Sequence, residues 1–349
     1  MKTKIVKIEN ENLLDKALIE AATILKDGGL VVFPTETVYG LGANALNSKA
    51  VQSIFEAKGR PQDNPLIIHV ANKNIDFLVS EITSFAKKLM DKFWPGPLTL
   101  IMKKSDIVPN VTSAGLETVG IRMPSNLIAR QLIESAGVPI AAPSANLSGK
   151  PSPTTLESCV EDLKGRVDFI IGGEMSKVGL ESTIVDCTVD PPCVLRPGGI
   201  TLEMLKTVDE RVYIDSAILN NMNQNEKPRA PGMKYRHYAP NVPMKIISGD
   251  LDNIVEYINK MCQEYRNNSI KVGIIATEET KNSYSYGIIK SLGTRKDLNT
   301  VSYNLFNTLR SFNNEDVDLI LGESFLEEGI GIAIMNRLKK AAGYDIIKV

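Results

Sequence analysis

The chain has 349 residues, 43% of them hydrophobic, enough for two domains with separate cores, and its 40 basic against 41 acidic side chains argue against a protein that coats nucleic acid through bulk charge. Four cysteines without a CxxC spacing and only two histidines argue against a zinc cage and a disulfide framework, so Cys159, Cys187, Cys193 and Cys262 are expected as buried thiols. The start, MKTKIVKIENEN, lacks the apolar stretch of a signal peptide and no apolar run approaches the ~20 residues that cross a bilayer, so a cytoplasmic protein without a membrane segment is expected.

In NLLDKALIEAATILKDGG, from Asn12, apolar residues recur at intervals of three and four and stop at Gly28-Gly29, which predicts an amphipathic helix with a glycine end. LVVFPTETVYGLG then reads as an apolar strand entering a turn. Pro34 stops the strand, Thr35, Glu36 and Thr37 offer polar groups, and Gly40 and Gly42 let the backbone approach a ligand; a ligand loop and a merely tight turn fit these residues equally well. SKAVQSIFEAKG is a second helix, PLIIHV a strand, EITSFAKKLMDKFW a helix and PLTLIMKK a strand. The alternation continues to about residue 215, broken by Pro-rich turns such as WPGP and KPSP, so a twisted mixed sheet with helical cover is expected.

Later the rhythm is more regular. PMKIIS, IKVGIIAT, YGIIKSLG and VDLILGES read as strands, and LDNIVEYINKMCQEYR, DLNTVSYNLFNTLRSF and IAIMNRLKKAAG as helices, so a smaller Rossmann-like parallel α/β domain is expected. No GxGxxG follows its first strand, which gives dinucleotide binding little support. Between the two, residues 225–243 carry four basic side chains against one acidic, and APGMKYRHYAP packs Lys234, Tyr235, Arg236, His237 and Tyr238 into consecutive positions. The expected division is therefore a first domain over 1–224, a cationic connector over 225–243 and a second domain over 244–349.

Several stretches carry chemistry. Lys58 and Arg60 flank Gly59 and are held by Pro61 and Pro65, which suits cations fixed around a polyanion. His69 lies in an apolar strand, where a core role is the commoner one. Arg122 lies within the strand-like LETVGIRMPSN, and an arginine buried there needs an anion, either a ligand or an internal carboxylate. PIAAPSANLSGKPSPTT supplies Ser144, Asn146, Ser148 and Ser152, a hydroxyl-rich loop of the kind that cradles phosphate, and ESTIVDCT and VLRPGGIT add Ser182, Thr183 and Arg196 at strand ends. Recurrence of such groups at successive strand ends predicts one shared cavity, and the absence of GxxxxGK[ST] means that any nucleotide is held without a Walker loop.

PTETVYGLGANA, KGRPQDNPLIIHV, WPGPLTLIM, VGIRMPSN, PSANLSGKPSPT, ESTIVD and LRPGGIT together resemble the YrdC family, and APGMKYRHYAP followed by a domain ending in GIAIMNRLKKAAG resembles its long two-domain form. The resemblance implies a YrdC-like catalytic domain and a nucleotidyl transfer that turns L-threonine, bicarbonate or CO2, and ATP into threonylcarbamoyl-adenylate and pyrophosphate, for modification of tRNA to threonylcarbamoyladenosine. It implies that Thr37, His69, Arg122, Ser182 and the backbone near Ala142 hold the threonine. Arg60, Asn64, Thr118, Ser144, Ser152, Arg196 and Tyr235 would hold ATP, with Lys58 close by and Lys58, Arg60 and Arg122 bearing the chemistry. Lys234, Tyr235 and His237 are expected on the inner side of a lid, the alternative being a segment that only docks one domain to the other. Mg²⁺ is expected with ATP, its protein ligands unassigned; threonylcarbamoyl-transfer proteins are expected downstream. Two other readings compete: a non-catalytic binder of tRNA or double-stranded RNA, and a carbamoyl-transfer enzyme of the hydrogenase-maturation type, whose zinc-finger and acylphosphatase modules this chain lacks.

Overall fold

The computed structural model describes residues 2–219, 230–231 and 238–349. The chain divides into two compact units, Met1–Ser148 with Ser152–Tyr235, and Gly149–Pro151 with Arg236–Val349. The strands of the first are β1 (Lys4–Lys7), β2 (Val31–Phe33), β3 (Gly40–Asn44), β4 (Ile67–His69), β5 (Leu98–Lys103), β6 (Thr118–Arg122), β7 (Ile140–Ala141), β8 (Phe169–Gly172), β9 (Thr183–Asp186), β10 (Cys193–Arg196) and β11 (Tyr213–Ile214). They form one mixed sheet in the order β1-β8-β2-β3-β7-β4-β6-β5-β9-β10-β11.

Successive side chains of a strand point to opposite faces, and the apolar ones sort accordingly. Val32, Ile68, Leu100, Ile121, Ile170, Val185 and Val194 belong to the larger core, with the helices Ser48–Lys58, Ser84–Phe93 and Leu156–Leu163. Val31, Phe33, Ile140 and Phe169 point the other way and are covered by the helices Glu11–Lys26 and Leu127–Ala136. Asparagine caps start both helices: Asn10 accepts from the Leu13 amide and Asn126 from the Ala129 amide. Beyond β7 this second face has a separate small apolar cluster, Ile67, Ile101, Ile184, Cys193 and Leu195, joined by Ala230. All four cysteines are buried thiols.

The second unit has β12 (Met244–Ser248), β13 (Val272–Ala276), β14 (Ile288–Ser291), β15 (Leu319–Glu323) and β16 (Ile346–Lys348), in the order β14-β13-β15-β12-β16 with every neighbouring pair parallel. Strand β16 lies beyond the last element that the sequence pattern predicts; three residues at a sheet edge are too few for a periodic signal. Its helices Leu251–Asn267, Leu298–Ser311 and Gly331–Ala341 follow the predicted positions closely. Tyr238 belongs to this unit, buried with φ of 67° and stacked on Phe306 at 5.1 Å. No helix among the described residues is long and apolar enough to cross a membrane.

One glycine fixes a close approach that the site requires. A Cβ on Gly198 would lie 2.4 Å from the Glu181 carbonyl oxygen and 2.6 Å from the Ser182 carbonyl carbon, so the turn after β10 can lie against Ser182 only without a side chain. Gly198→Ala is expected to lower the unfolding free energy by about 1–3 kcal/mol through overpacking, read by denaturant titration; unchanged stability would mean that the turn has room to move.

Candidate functional site

The strand register builds a row of side chains beyond β7, on the same sheet face that the two capped helices cover elsewhere. His69 on β4 is opposite Arg122 on β6, Arg122 opposite Thr99 on β5, Thr99 opposite Ile184 on β9, and Ile184 opposite Arg196 on β10. Directly opposed residues share a face, so this row points one way. The adjacent row, Ile68, Ile121, Leu100, Val185 and Val194, is wholly aliphatic and points into the larger core. Arg196 would follow Val194 into that core but for a register shift between them, a β-bulge that turns its guanidinium to the polar side. Four interstrand steps of about 4.8 Å carry the row across roughly 19 Å, with three of them, about 14 Å, between Arg122 and Arg196.

Each cation in the row is held by protein acceptors. Arg122, 4% exposed, donates from Nη2 to Glu36 Oε1 at 2.7 Å and from Nε to the Gly96 carbonyl at 3.4 Å. Arg196 donates from Nε to the Ser182 carbonyl (3.0 Å), from Nη2 to Ser182 Oγ (3.1 Å) and from Nη1 to the Pro231 carbonyl (3.4 Å). Ser182 Oγ is also 2.8 Å from Thr99 Oγ1, so the hydroxyls join the middle of the row to its end. Thr37, next to Glu36, is fully buried with its hydroxyl 2.8 Å from that of Thr35. His69 lies 3.2 Å from the Ile67 carbonyl through Nδ1, and burial, reinforced by the Arg122 charge, pushes its pKa down to about 3.

A second group forms at the loops. Lys58, at the C-terminus of its helix, is 2% exposed and donates from Nζ to the carbonyls of Ser144 and Asn146. Ser144 Oγ donates to Asn146 Oδ1 at 2.6 Å, and Ser144 bridges to Gly40, which fixes this loop beside the PTETVYG turn. Arg60 folds over the following loop, donating from Nη2 to the Asn64 and Pro65 carbonyls at 3.3 and 3.2 Å. Asn64 is 2% exposed, and its Oδ1 has no hydrogen-bond partner among the described residues. Ala142 donates its amide to Ile67, and Ser152 Oγ donates to Glu181 Oε1 at 2.6 Å. Thr118 begins β6 on the same face as Arg122, with Gly120 between them.

Thr37, His69, Arg122, Ser182 and Arg196 are thus linked along or beside one row, and Lys58, Ser144 and Asn146 hold one another. Thr118 lies some 13 Å along its strand from Arg122, at four residues of about 3.3 Å, and no contact ties it to the other candidates. Lys234, Tyr235 and His237 lie outside the described residues; of the connector over 225–243 only residues 230–231 and 238–243 are described, with Ala230 fully buried in the apolar cluster that shares Ile184 with the row and Pro231 accepting from Arg196. Glu36, Thr99 and Glu181 were not singled out as ligand-holding residues from the sequence. For Glu36 the signal existed, because a buried arginine in a strand demands a carboxylate; for Thr99 and Glu181 it lies in register and loop contacts alone. Among the described residues no cluster of three or more histidine, cysteine, aspartate or glutamate side chains could hold a metal.

A histidine with its pKa lowered by folding binds protons better when unfolded, so its neutral state contributes stability above pH 6.5 that is lost as pH falls towards 3. Between pH 7 and pH 5 this loss should be about 2 kcal/mol, and His69→Asn should flatten that slope in denaturant melts. A slope unchanged by the substitution would place the titration elsewhere.

The Sua5/YciO/YrdC family model, described as "Telomere recombination", matches residues 23–198, and the model of the threonylcarbamoyl-AMP synthase C-terminal domain matches residues 200–343. A threonylcarbamoyl-AMP synthase of Bacillus subtilis is 49% identical over 337 residues, 96% of this chain and 95% of the relative. One of Pyrococcus abyssi is 47% identical over 330 residues, 94% of this chain and 95% of the relative. The crystal structure of P. abyssi Sua5 complexed with L-threonine matches with a TM-score of 0.93 at 45% identity, covering 100% of both chains. With both domains matched in order and nearly the whole length covered, the chain belongs to the Sua5/YciO/YrdC family, in its two-domain form.

Proposed function

We propose that this chain catalyses the threonylcarbamoyl-AMP synthase reaction named for its relatives, joining L-threonine, bicarbonate or CO2, and ATP into threonylcarbamoyl-adenylate with release of pyrophosphate. The observation that carries the reading is the row itself: two arginines on one face, about 14 Å apart with the Thr99 and Ser182 hydroxyls between them, suit an amino-acid carboxylate at one end and a polyphosphate at the other.

The chemistry asks for no enzyme nucleophile. The threonine nitrogen bonds to the carbon of CO2 and loses a proton, giving a carbamate; a carbamate oxygen attacks the α-phosphorus and the bond to pyrophosphate breaks. The protein's work is to align two anions and to stabilise charge spread over the phosphate oxygens. Arg122, Thr37, Ser182, neutral His69 and the backbone at Ala142 are assigned to the threonine. Arg60, Asn64, Thr118, Ser144, Ser152 and Arg196 are assigned to ATP, with Lys58 bracing the Ser144 loop. Among the described residues no carboxylate cluster would hold a metal, so a Mg²⁺ accompanying ATP is assigned to the phosphate oxygens, where it would neutralise charge. The product's consumer would be a protein that transfers the threonylcarbamoyl group to tRNA.

The connector over residues 225–243 is proposed as a lid. The adenylate is an anhydride that water destroys, and the Pro231 carbonyl on Arg196, with Ala230 buried beside Ile184, supports a connector that closes over the site. Tyr235 would complete the nucleotide site, with Lys234 and His237 beside it.

Pyrophosphate release by the purified chain should require L-threonine, bicarbonate and ATP together, and Arg122→Ala should lower kcat/KM for threonine about 100-fold. Release that proceeds without threonine or bicarbonate would overturn the reading. Replacing Tyr235 and His237 together by alanine should slow adenylate formation or hasten its hydrolysis, followed by chromatography of the product; equal rates and yields would dispose of the lid.

A further inference from the structure

We propose that Glu36 is the positioning residue for Arg122, and that it acts through the reach of its side chain rather than through its charge. This rests on the reading that Arg122 receives the threonine carboxylate. Two contacts orient the guanidinium: Nη2 on Glu36 Oε1 at 2.7 Å, and Nε on the Gly96 carbonyl at 3.4 Å. These fix its plane and leave Nη1 and the second Nη2 hydrogen to meet a carboxylate in a forked pair. The Gly96 contact is long, so Glu36 is the stronger of the two constraints.

Glu36 is itself immobilised. Its second carboxylate oxygen accepts from the amide of Asn126, the cap of the helix Leu127–Ala136, at 3.4 Å. Its own carbonyl accepts from the Val178 amide at 2.7 Å. The preceding Thr35 carbonyl accepts from Ser176 Oγ at 2.9 Å, and the Thr35 hydroxyl donates to the Val38 carbonyl at 2.6 Å. A turn pinned in this way is a fixed post. The charge of Glu36 works against ligand binding, because a carboxylate already on Arg122 weakens the pull of that cation on another carboxylate. What the protein gains from a glutamate here is the geometry: Arg122 is placed in the site with its rotamer settled before threonine arrives. Thr35, Glu36 and Asn126 also line a cavity of about 560 Å³.

Two substitutions separate reach from charge. Glu36→Gln keeps the length and an acceptor oxygen for Arg122 but loses the charge; Glu36→Asp keeps the charge but withdraws the oxygen by one methylene. Calorimetric binding of L-threonine should weaken at least about tenfold in Glu36→Asp and stay within about threefold of the parent in Glu36→Gln, with KM for ATP unchanged in both. L-Threoninamide, which lacks the carboxylate, should bind the parent and Glu36→Asp alike, a pattern that a general loosening of the fold would not give. Weak threonine binding in Glu36→Gln with normal binding in Glu36→Asp would overturn the proposal in favour of charge balance, and normal binding in both would leave Glu36 a fold-stabilising partner only. Arg122→Ala is the control: if it binds threonine as the parent does, the assignment of Arg122 to the carboxylate has failed, whatever Glu36 does.

Discussion

The site depends on alternation along strands. One register position carries Ile68, Ile121, Leu100, Val185 and Val194 into an aliphatic core, and the neighbouring position carries His69, Arg122, Thr99, Ile184 and Arg196 to the opposite face. Because the period is two, a slip by one residue in β6 would exchange the Arg122 guanidinium with Ile121 or Met123, at the cost of a buried unpaired charge. The hydrophobic core therefore enforces the register of the polar row, and the row's precision derives from apolar packing that touches no ligand. Arg196 is the exception that needs a device. Its strand would send it into the core, and the bulge at Leu195 turns it back.

Electrostatics sets a second requirement on the same residues. Lys58, Arg122 and Arg196 are each less than a tenth exposed, and such charges persist only where acceptors replace water. Carbonyls are among those the protein supplies: Ser144 and Asn146 for Lys58, Gly96 for Arg122, Ser182 and Pro231 for Arg196. A carbonyl satisfies a donor without cancelling its charge. Arg122 is paired with a carboxylate, Glu36, and that is a place where orientation and charge pull in opposite directions.

Much of this was legible in the sequence, for identifiable reasons. The alternation of apolar strands and helices marked out two α/β units, and Arg122 within VGIRM signalled a buried cation because its flanks are apolar. Loops rich in hydroxyls and glycine marked strand ends. Other features have no local signal. Thr99 looks like an ordinary strand threonine in PLTLIMKK, and only the antiparallel register of β5 on β6 sets it opposite Arg122. The bulge that re-aims Arg196 comes from a mismatch between two strands, which no single segment encodes. His69 reads as a core histidine, and burial does hold its ring neutral; its place in the polar row comes from being opposite Arg122.

A reaction without an enzyme nucleophile shifts the burden from reactivity to preorganisation. In water, two anions brought together must each reorganise a hydration shell as charge moves between them; in a site whose donors are already oriented, that reorganisation has been completed during folding. The folded chain meets this condition in its own bonds. Thr99, Ser182 and Arg196 are joined by hydroxyl and guanidinium contacts of 2.8 and 3.1 Å, and Gly198 closes against the Ser182 backbone with no space for a methyl group. A shift of Ser182 would thus be transmitted to Arg196 on one side and to Thr99, the neighbour of Arg122, on the other. The spacing between the proposed threonine and nucleotide ends of the row is therefore set by the strand pairing of Arg122 with Thr99 and by the hydrogen bonds that run from Thr99 through Ser182 to Arg196.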